Sequence, residues 1–531
     1  MIFDNNYHYN AMPIRLLVNI QDADSAGIQT ASENNNGTRM GYNHPMEKNT
    51  LSARATRMGY NHPMEKNTLS ARAPSPWLPL LLAIAIFMQM LDATILNTAL
   101  PEIAADLNES PPDMQQAVVA YTLTVALLIP LSSYLADKFG TKKVFFGSIA
   151  VFMLGSALCA ASGSLFELTL SRVVQGIGGS MLVPIPRLTI LRVYEKSKLL
   201  NAINYAVMPA LIGPALGPLA GGYLVEYASW HWIFLLNLPI GLLGFILGRN
   251  IMPDVKGNDT ALDFKGYLTF SVAACLLLLA AESLSHALPP YFALLPLCGG
   301  LLFARRYFRH MKTASKPIYS ADLFLIRTFR LGLAGNLFSR LGISSIPFLM
   351  PLMFQVAFGF GASLSGWLVA PVALSSLLVK PLIAPLMKRF GYRTVLLWNT
   401  KLLAAFIMLL ALPDGNSPLW IWIFLSLAIG ACNSLQFSAM NTLTLADLRP
   451  QQTGSGNSLM AVNQQLAISV GIVAGALILK NWTFLIPASS GLHFAFRMTL
   501  LSIGGITLAS SLVFKRLHVS DGANLTRGTR P

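Results

Sequence analysis

One carboxylate stands out because it lies inside an otherwise apolar stretch. Asp92 occurs in the segment MQMLDATILNTALP, residues 88–101, which carries no other charged side chain. A charged side chain at membrane depth costs about 2.5–3.5 kcal/mol on insertion scales, so such residues usually mark a path for protons or ions. Asp92 is therefore predicted to carry or control a proton in a membrane protein that moves a solute.

A second charged side chain, Arg172, is predicted to lie at the same depth as Asp92. Asp92 follows the cytoplasmic start of its apolar segment by about fifteen residues, or roughly 22 Å at the helical rise of 1.5 Å per residue. Arg172 is expected roughly 20 Å above the inner surface of a hydrocarbon core of about 30 Å. If the two helices face each other, the charges would form an ion pair, for which an arriving proton or substrate would compete.

The composition places these charges in a polytopic helical membrane protein. The 531 residues are 54% hydrophobic and 11% charged, with a mean hydropathy of +0.55, whereas soluble domains carry about 25% charged residues. The formal charge of +15 comes from Lys and Arg in alternate loops between apolar segments. This positive-inside pattern indicates topology, with both termini cytoplasmic, and excludes the nucleic-acid partner that the net charge alone would suggest.

Fourteen apolar segments are predicted to be transmembrane helices. They lie at about 77–99, 116–135, 144–162, 166–190, 202–224, 232–250, 264–282, 288–304, 331–356, 364–387, 394–412, 418–442, 456–479 and 495–514. The sequence LADKFGTK after the second segment is echoed by LMKRFGYR after the tenth. The echo predicts two related six-helix bundles with spans seven and eight inserted between them, as in many secondary transporters.

These segments predict the following domain organisation: an N-terminal bundle at 64–250, inserted spans and a linker at 251–330, a C-terminal bundle at 331–515, and a cytoplasmic tail at 516–531. Residues 1–63 are polar, lack a signal-peptide core and are expected to be a disordered extension. The segment TRMGYNHPMEKNTLSARA at 38–55 is repeated at 56–73, which suggests a recent duplication or a mis-assigned start, with Met64 the preferred start. The four cysteines lie within predicted spans, so we expect neither a disulfide nor a metal site, and no cofactor.

Several motifs together resemble the major facilitator superfamily, in its fourteen-span drug:proton antiporter branch, over residues 64–520. The segment LDATILNTALP at 91–101 resembles the first-span signature of that branch. The segment LSRVVQGIGG at 170–179 resembles the fourth-span motif whose arginine is linked to proton transfer. The resemblance implies that Asp92 couples transport to protons and that Arg172 tunes it. A purely structural ion pair is the alternative.

The loop SYLADKFGTKK at 133–143 resembles the superfamily loop between the second and third spans. The resemblance implies that Asp137, Lys138, Gly140 and Lys142 latch the two bundles and gate the conformational switch. In the second copy of the motif Lys388 replaces the acid, which implies a weaker latch there.

The segment GPALGPLAGG in the fifth span resembles a motif that the superfamily reserves for antiporters. Small residues four apart let helices approach closely, and a proline adds a kink. Close packing alone would also favour such glycines, but the whole string implies export. Its residues are Gly213, Gly217, Pro218, Gly221 and Gly222.

Polar side chains within the predicted spans are candidates for lining a substrate cavity. Amides at this depth either line a cavity or join helices through hydrogen bonds, and both interpretations stay open. Basic side chains outnumber acids in the spans, which favours neutral or anionic substrates. The candidates are Asn97, Arg340, Gln355, Asn433, Asn441 and Gln464.

The sequence thus predicts an all-α protein with the major facilitator fold, acting as a proton-coupled exporter of small molecules by multidrug-type efflux across the bacterial inner membrane. An exporter of an endogenous anionic metabolite, such as a carboxylate or its metal chelate, is the alternative, and a non-transporting receptor or scaffold is a second. The sequence holds no Walker-A loop, HExxH motif or nucleophile–base constellation, so we do not expect an enzyme. The expected partners are substrate, protons and the lipid bilayer. The chain is expected to be a monomer, and the sequence does not decide whether a periplasmic adaptor takes part.

Overall fold

The computed structural model describes residues 75–195, 198, 202, 205–206, 212–257, 262–283, 291–315, 317–449, 452–485 and 491–526. The extension predicted at 1–63 lies outside the described residues. Within the described ranges all regular secondary structure is helical, in agreement with the predicted all-α class.

The second and third helices of the first bundle are separated where a proline interrupts the helical backbone hydrogen bonds. The break between its second and third helices falls at Pro130, which has no N–H to donate, and the two pieces meet at 59°. A short 3₁₀ turn, Pro111–Met114, precedes the second helix. The helices are α1 Leu78–Asp106, α2 Gln115–Leu128, α3 Leu131–Phe139, α4 Thr141–Ala160, α5 Leu165–Gly179, α6 Pro184–Val193, α7 Gly213–Tyr227, α8 His231–Leu235 and α9 Asn237–Ile251.

The inserted pair and the second bundle follow. In α15 the backbone leaves the helical region at Gly391, with φ +74°, so two helices run together there. The ranges are α10 Phe264–Ser283, α11 Tyr291–Thr313, a 3₁₀ turn Ala321–Leu325, α12 Arg327–Ile343, α13 Ile346–Leu352, a π turn Met353–Ala357, α14 Ala362–Leu378, α15 Lys380–Leu409, α16 Leu419–Leu445, α17 Thr453–Leu485, α18 Gly491–Lys515 and α19 Ala523–Thr526.

The described helices give fewer spans than the fourteen predicted. Nine helical segments in the described part of the chain are long and apolar enough to cross a membrane, and eleven if each of two bent pairs counts as one span. The difference lies in α7, of which 15 residues are described, in α11, whose second half is basic, and in α14 with α15, which count as one bent pair although Gly391 divides them. The fourteen-span count stays a prediction.

The apolar core is shared between the bundles at one end of the molecule and divided at the other. At the end that the charge pattern assigns to the outer face, one cluster joins Ile103, Phe234 and Leu368 with Trp422. At the opposite end, one cluster lies in the first bundle and at Met252 just beyond it, around Phe145, and another lies in the second bundle and at Leu517 just beyond it, around Leu396, Met440 and Phe514. The bundles therefore pack together mainly through their outer halves.

Candidate functional site

Asp92 and Arg172 form an ion pair inside the first bundle. Arg172 Nη1 lies 2.8 Å from Asp92 Oδ2, and both side chains are 1% exposed. The Arg172 Nε–H donates to the carbonyl oxygen of Ala117 in α2 at 3.4 Å. Removing one partner of such a buried pair costs about 3–5 kcal/mol, because the other charge is left buried without compensation.

The second carboxylate oxygen of Asp92 is held by two amides. Gln175 Nε2 donates to Asp92 Oδ1 at 2.8 Å, and Asn237 Nδ2 donates to the same oxygen at 3.1 Å. The hydroxyl oxygen of Ser156 accepts from both amides, at 2.8 and 3.3 Å. Five helices (α1, α2, α4, α5 and α9) thus supply the ion pair and its partners, and the site is arranged for an ionised carboxylate.

Aromatic rings cover the guanidinium. The Cζ atom of Arg172 lies 4.3 Å from the centre of the Tyr121 ring and 5.9 Å from that of Phe234. Such cation–π contacts stabilise a desolvated cation by about 2 kcal/mol. The rings also keep the pair dry, because Tyr121 and Phe234 are themselves buried.

This arrangement makes proton binding and helix packing interdependent. A protonated carboxyl must donate one hydrogen bond, whereas all of the neighbours of Asp92 named above are donors. Protonation would therefore weaken the contacts that Asp92 makes with Arg172, Gln175 and Asn237. Asp92 is 1% exposed, so its carboxylate is shielded from solvent in this conformation.

Sequence reasoning had paired Asp92 with Arg172 but had not assigned a role to the amides. Gln175 follows Arg172 by three residues, which places both on one helix face, so that spacing was a usable signal. Asn237 lies 145 residues from Asp92 in the chain, and only the fold brings them together. Ser156 in α4 likewise carries no signal in the sequence around it.

The glycines of the fifth-span motif face two different neighbours. A methyl group on Gly217 or Gly221 would collide with α1 between Thr94 and Thr98, and one on Gly213 would make tight contacts with α1 between Phe87 and Leu91, so the glycines flank the turn that carries Asp92. A methyl group on Gly222 would instead collide with the Ala362 backbone of α14. A methyl group on Gly366 of α14 would likewise collide with the Pro218 carbonyl of α7. Helix α7 therefore touches α1 with one face and α14 of the second bundle with another.

Polar contacts close the outer end between the bundles. Gln355 Nε2 donates to the carbonyl oxygen of Thr98 at 2.9 Å. The backbone N–H of Ser363, at the start of α14, donates to Glu226 Oε2 of α7 at 2.8 Å. Three further contacts across the interface are Trp367 Nε1 to the Tyr223 hydroxyl at 3.1 Å, Thr122 with Ser469 at 2.7 Å, and Lys480 with Asp113 at 3.3 Å.

The predicted gating loop makes its described contacts with the first bundle and with residues 253–255 that follow it. Asp137 forms an ion pair with Arg192 at the end of α6, a partner that the sequence did not indicate. Lys142 Nζ donates to the carbonyl oxygen of Arg249 at 2.8 Å, and Lys138 Nζ donates to the Tyr134 hydroxyl at 3.2 Å.

Gly140 makes the turn of this loop. It has φ +89°, and a methyl group there would collide with Asp254. The turn thus needs glycine both for its backbone conformation and for space.

The six cavity candidates do not gather in one place. Gln355 lies in the outer bundle contact, and Asn97 is buried, with its amide donating back to the Ala93 carbonyl at 3.5 Å. Asn433 is half-buried in α16.

Two of the candidates on the second bundle do meet. Gln464 donates to Asn441. Arg340 stacks over the Phe437 ring at 4.9 Å, and among the described residues no carboxylate lies within ion-pair distance of it and its buried Nε has no hydrogen-bond partner.

The helical bundles and the charge site buried between helices define a membrane transporter of a known class. The sequence profile described as Major Facilitator Superfamily matches residues 82–308 and 332–528, so the chain belongs to that superfamily. It is a multi-pass membrane transporter and not an enzyme, and the predicted family and fold class are confirmed.

Two curated relatives align over most of the chain. "Probable transport protein HsrA" of Haemophilus influenzae is 42% identical over 449 residues, covering 84% of this chain and 96% of the relative. "Putative multidrug resistance protein MdtD" of Pectobacterium atrosepticum is 40% identical over 446 residues, covering 83% and 95%. The resemblance seen in the motifs thus extends along nearly the whole length of these proteins.

Two solved structures share the fold. A bacterial homologue of the human lysosomal transporter Spinster, in an inward-facing and occupied conformation, has a TM-score of 0.58 at 16% identity, covering 84% of this chain and 97% of that one. The nucleoside transporter NupG has a TM-score of 0.55 at 12% identity, covering 82% and 98%. At these identities the likeness concerns the fold alone.

Proposed function

We propose that this chain is a proton-coupled antiporter that exports small molecules by multidrug-type efflux across the bacterial inner membrane. The transport unit is one chain, and access alternates between bundles at 64–250 and 331–515. The observation that carries the proposal is the buried Asp92, held by Arg172, Gln175 and Asn237 in a protein of a transporter family. A merely structural carboxylate would not require a dry, ionised site at membrane depth.

The closed outer interface corresponds to the state in which the substrate path is open to the cytoplasm. The shared outer core and the separate inner cores support this assignment. In this state Asp92 keeps its charge and its partners. Proton binding favours the opposite state if it weakens those contacts, because a ligand shifts a conformational equilibrium only through its different affinities for the two states.

Helix α7 is the element that passes this change to the second bundle. Its glycines pack on α1 beside Asp92, and Gly222 packs on α14. Contacts of this kind join backbone to backbone, so that a small displacement of α1 moves α7 instead of being absorbed by flexible side chains. The match of this segment to the antiporter motif supports export as the direction of transport.

The loop after α3 serves as the inner latch of the proposed cycle. Asp137 is paired with Arg192 in the present state. When the cytoplasmic ends approach, Asp137, Lys138 and Lys142 lie at the edge that meets the second bundle, where Lys388 occupies the place of the acid.

The unpaired Arg340 favours a second candidate function, the export of an anionic metabolite such as a carboxylate or its metal chelate. Its guanidinium lacks a described carboxylate partner, and an anionic substrate would supply one. The relative named for multidrug resistance supports the first candidate instead.

Proton flux in proteoliposomes with an imposed pH gradient tests both candidates. We expect cationic dyes to drive proton movement in the wild type, and Asp92→Asn to abolish it. Asp414→Asn, which removes an exposed carboxylate of the 413–418 loop, is the matched control and should behave as wild type. Proton movement driven by tricarboxylates and lost in Arg340→Gln would favour the second candidate. Coupled flux in Asp92→Asn equal to that of the wild type would refute proton coupling at this site.

A further inference from the structure

The inserted helix α11 carries an exposed stripe that changes from apolar to basic along its length. Every member of the stripe is exposed, and the spacing of three and four residues places them on one helix face. The opposite face is buried, with Tyr307 packed on Phe270 of α10 and, like Met311, in a cluster with Phe329 of α12. The stripe consists of Leu295, Cys298, Leu302, Arg305, Arg309 and Lys312.

An ion pair fixes the depth of this stripe. His310 Nε2 lies 2.8 Å from Asp263 Oδ1, just before α10 begins, so these residues share one level at the cytoplasmic ends of the inserted pair. Arg305 precedes His310 by five helical residues and therefore lies about 7 Å closer to the middle of the membrane. The predicted span ends at residue 304, so Arg305 is expected at the edge of the hydrocarbon core, on a face turned away from the protein.

In the part of the chain that the structure describes, the bases of the stripe have no counter-ion. Among the described residues none of Arg305, Arg309 and Lys312 has a carboxylate within ion-pair distance. The nearby carboxylate of Asp263 is occupied by His310 and by the backbone N–H of Gly266. Exposed bases at the edge of the hydrocarbon core attract an anion, and lipid phosphate is the anion at that level.

We propose that α11 forms a binding site for an anionic glycerophospholipid of the inner leaflet. Arg305, Arg309 and Lys312 hold the phosphate, and an acyl chain lies along Leu302 and Leu295. The planar guanidinium groups give two hydrogen bonds each to phosphate oxygens. The inserted pair thereby ties the transporter to lipids of one charge class, a role separate from moving substrate or protons.

Native mass spectrometry of the purified full-length protein tests the site, by counting bound phosphatidylglycerol against phosphatidylcholine with the same acyl chains. Each basic residue near an anionic surface contributes a factor of about five in affinity. The variant R305Q/R309Q/K312Q is therefore expected to bind phosphatidylglycerol about a hundredfold more weakly. The matched control K388Q/R389Q/R393Q removes the same charge from the α15 turn and should bind as wild type.

The outcome distinguishes a site from general surface charge. Equal affinity of the wild type for the two lipids, or an equal loss in both triple variants, would overturn the proposal. If the triple variant does not fold, the single variant R309Q replaces it and is expected to bind phosphatidylglycerol about fivefold more weakly. An unchanged affinity of R309Q for phosphatidylglycerol would also overturn the proposal. Melting temperatures in phosphatidylcholine verify the folding of each variant.

Discussion

Replacing Gly222 by alanine tests whether the contact of α7 with α14 holds the outer end closed. The added methyl carbon would lie 2.9 Å from both the Ala362 carbonyl carbon and the Ser363 Cα, whereas ordinary van der Waals contact begins at 3.4 Å. The obstructing atoms are backbone atoms, which cannot rotate away. Relief requires α14 to move by about 0.5 Å or more relative to α7.

The expected effect follows from the state in which the clash occurs. Overpacking of this kind costs about 1–3 kcal/mol, and in Gly222→Ala the cost falls only on the state with the outer end closed. The ratio of outer-open to outer-closed molecules should therefore rise by a factor of about 5 to 150. Gly366→Ala, whose methyl would meet the Pro218 carbonyl from the other side, should act in the same direction.

Accessibility of a single cysteine from the outer side measures this ratio. Ala370 is 8% exposed and lies one turn beyond Gly366 on the same face of α14, so Ala370→Cys in a background without the four native cysteines reports opening. A membrane-impermeant maleimide should label it faster in Gly222→Ala. Gly178→Ala is the control, because its methyl would lie 2.6 Å from the Ser148 carbonyl oxygen, in a contact of α5 with α4 inside the first bundle, and it should lower stability without changing the labelling rate. A labelling rate in Gly222→Ala within twofold of wild type, or an equal rise in the control, would refute the reasoning.

Three further predictions, which use four substitutions, address the loop, the outer contact and the proposed proton site. Gly140→Ala and Gly391→Ala both place alanine at positive φ, a strain of about 1–2 kcal/mol, but only the first also lacks space. Thermal unfolding should show the larger loss for Gly140→Ala, and equal losses would contradict the described turn. Glu226→Gln removes a negative charge from the N-terminus of α14, an interaction worth about 0.3–1 kcal/mol. The rate at which maleimide labels Ala370→Cys should therefore rise by up to fivefold, and an unchanged rate would show that this charge does not stabilise the closed outer end. Asn237→Ala removes one hydrogen-bond donor to Asp92, an interaction worth about 1.5–3 kcal/mol. Proton-coupled flux in proteoliposomes should fall about tenfold or more at equal protein content, and undiminished flux would show that Asn237 has no role in coupling.

The charges at membrane depth were predictable because an apolar helix constrains them in one dimension. Counting residues along α1 and α5 placed Asp92 and Arg172 at one level, and the structure puts them in contact. The repeated sequence pattern after the second and tenth predicted spans likewise indicated a glycine turn in each copy, and Gly140 and Gly391 both have positive φ.

What could not be predicted depends on contacts between distant segments. Asn237 reaches Asp92 only through the packing of α9 on α1. The closed outer end likewise follows from small packing differences between two states, for example at Gly222, and a single sequence encodes both states. The positions of helix breaks were also hard to predict. The chain bends by 56° between α14 and α15, but the apolar pattern continues across the bend, so the sequence predicts a single span there.

The ligand set of Asp92 is contained in one half of the chain. Ser156, Arg172, Gln175 and Asn237 all precede the inserted helices, whereas Arg340 and its neighbours follow them. Under the proposed function the two halves can diverge separately, because the ion pair and its partners lie in the first half and Arg340 lies in the second. A recombinant of two relatives joined within residues 251–330 is then expected to keep the proton coupling of one parent and to acquire the substrate range of the other.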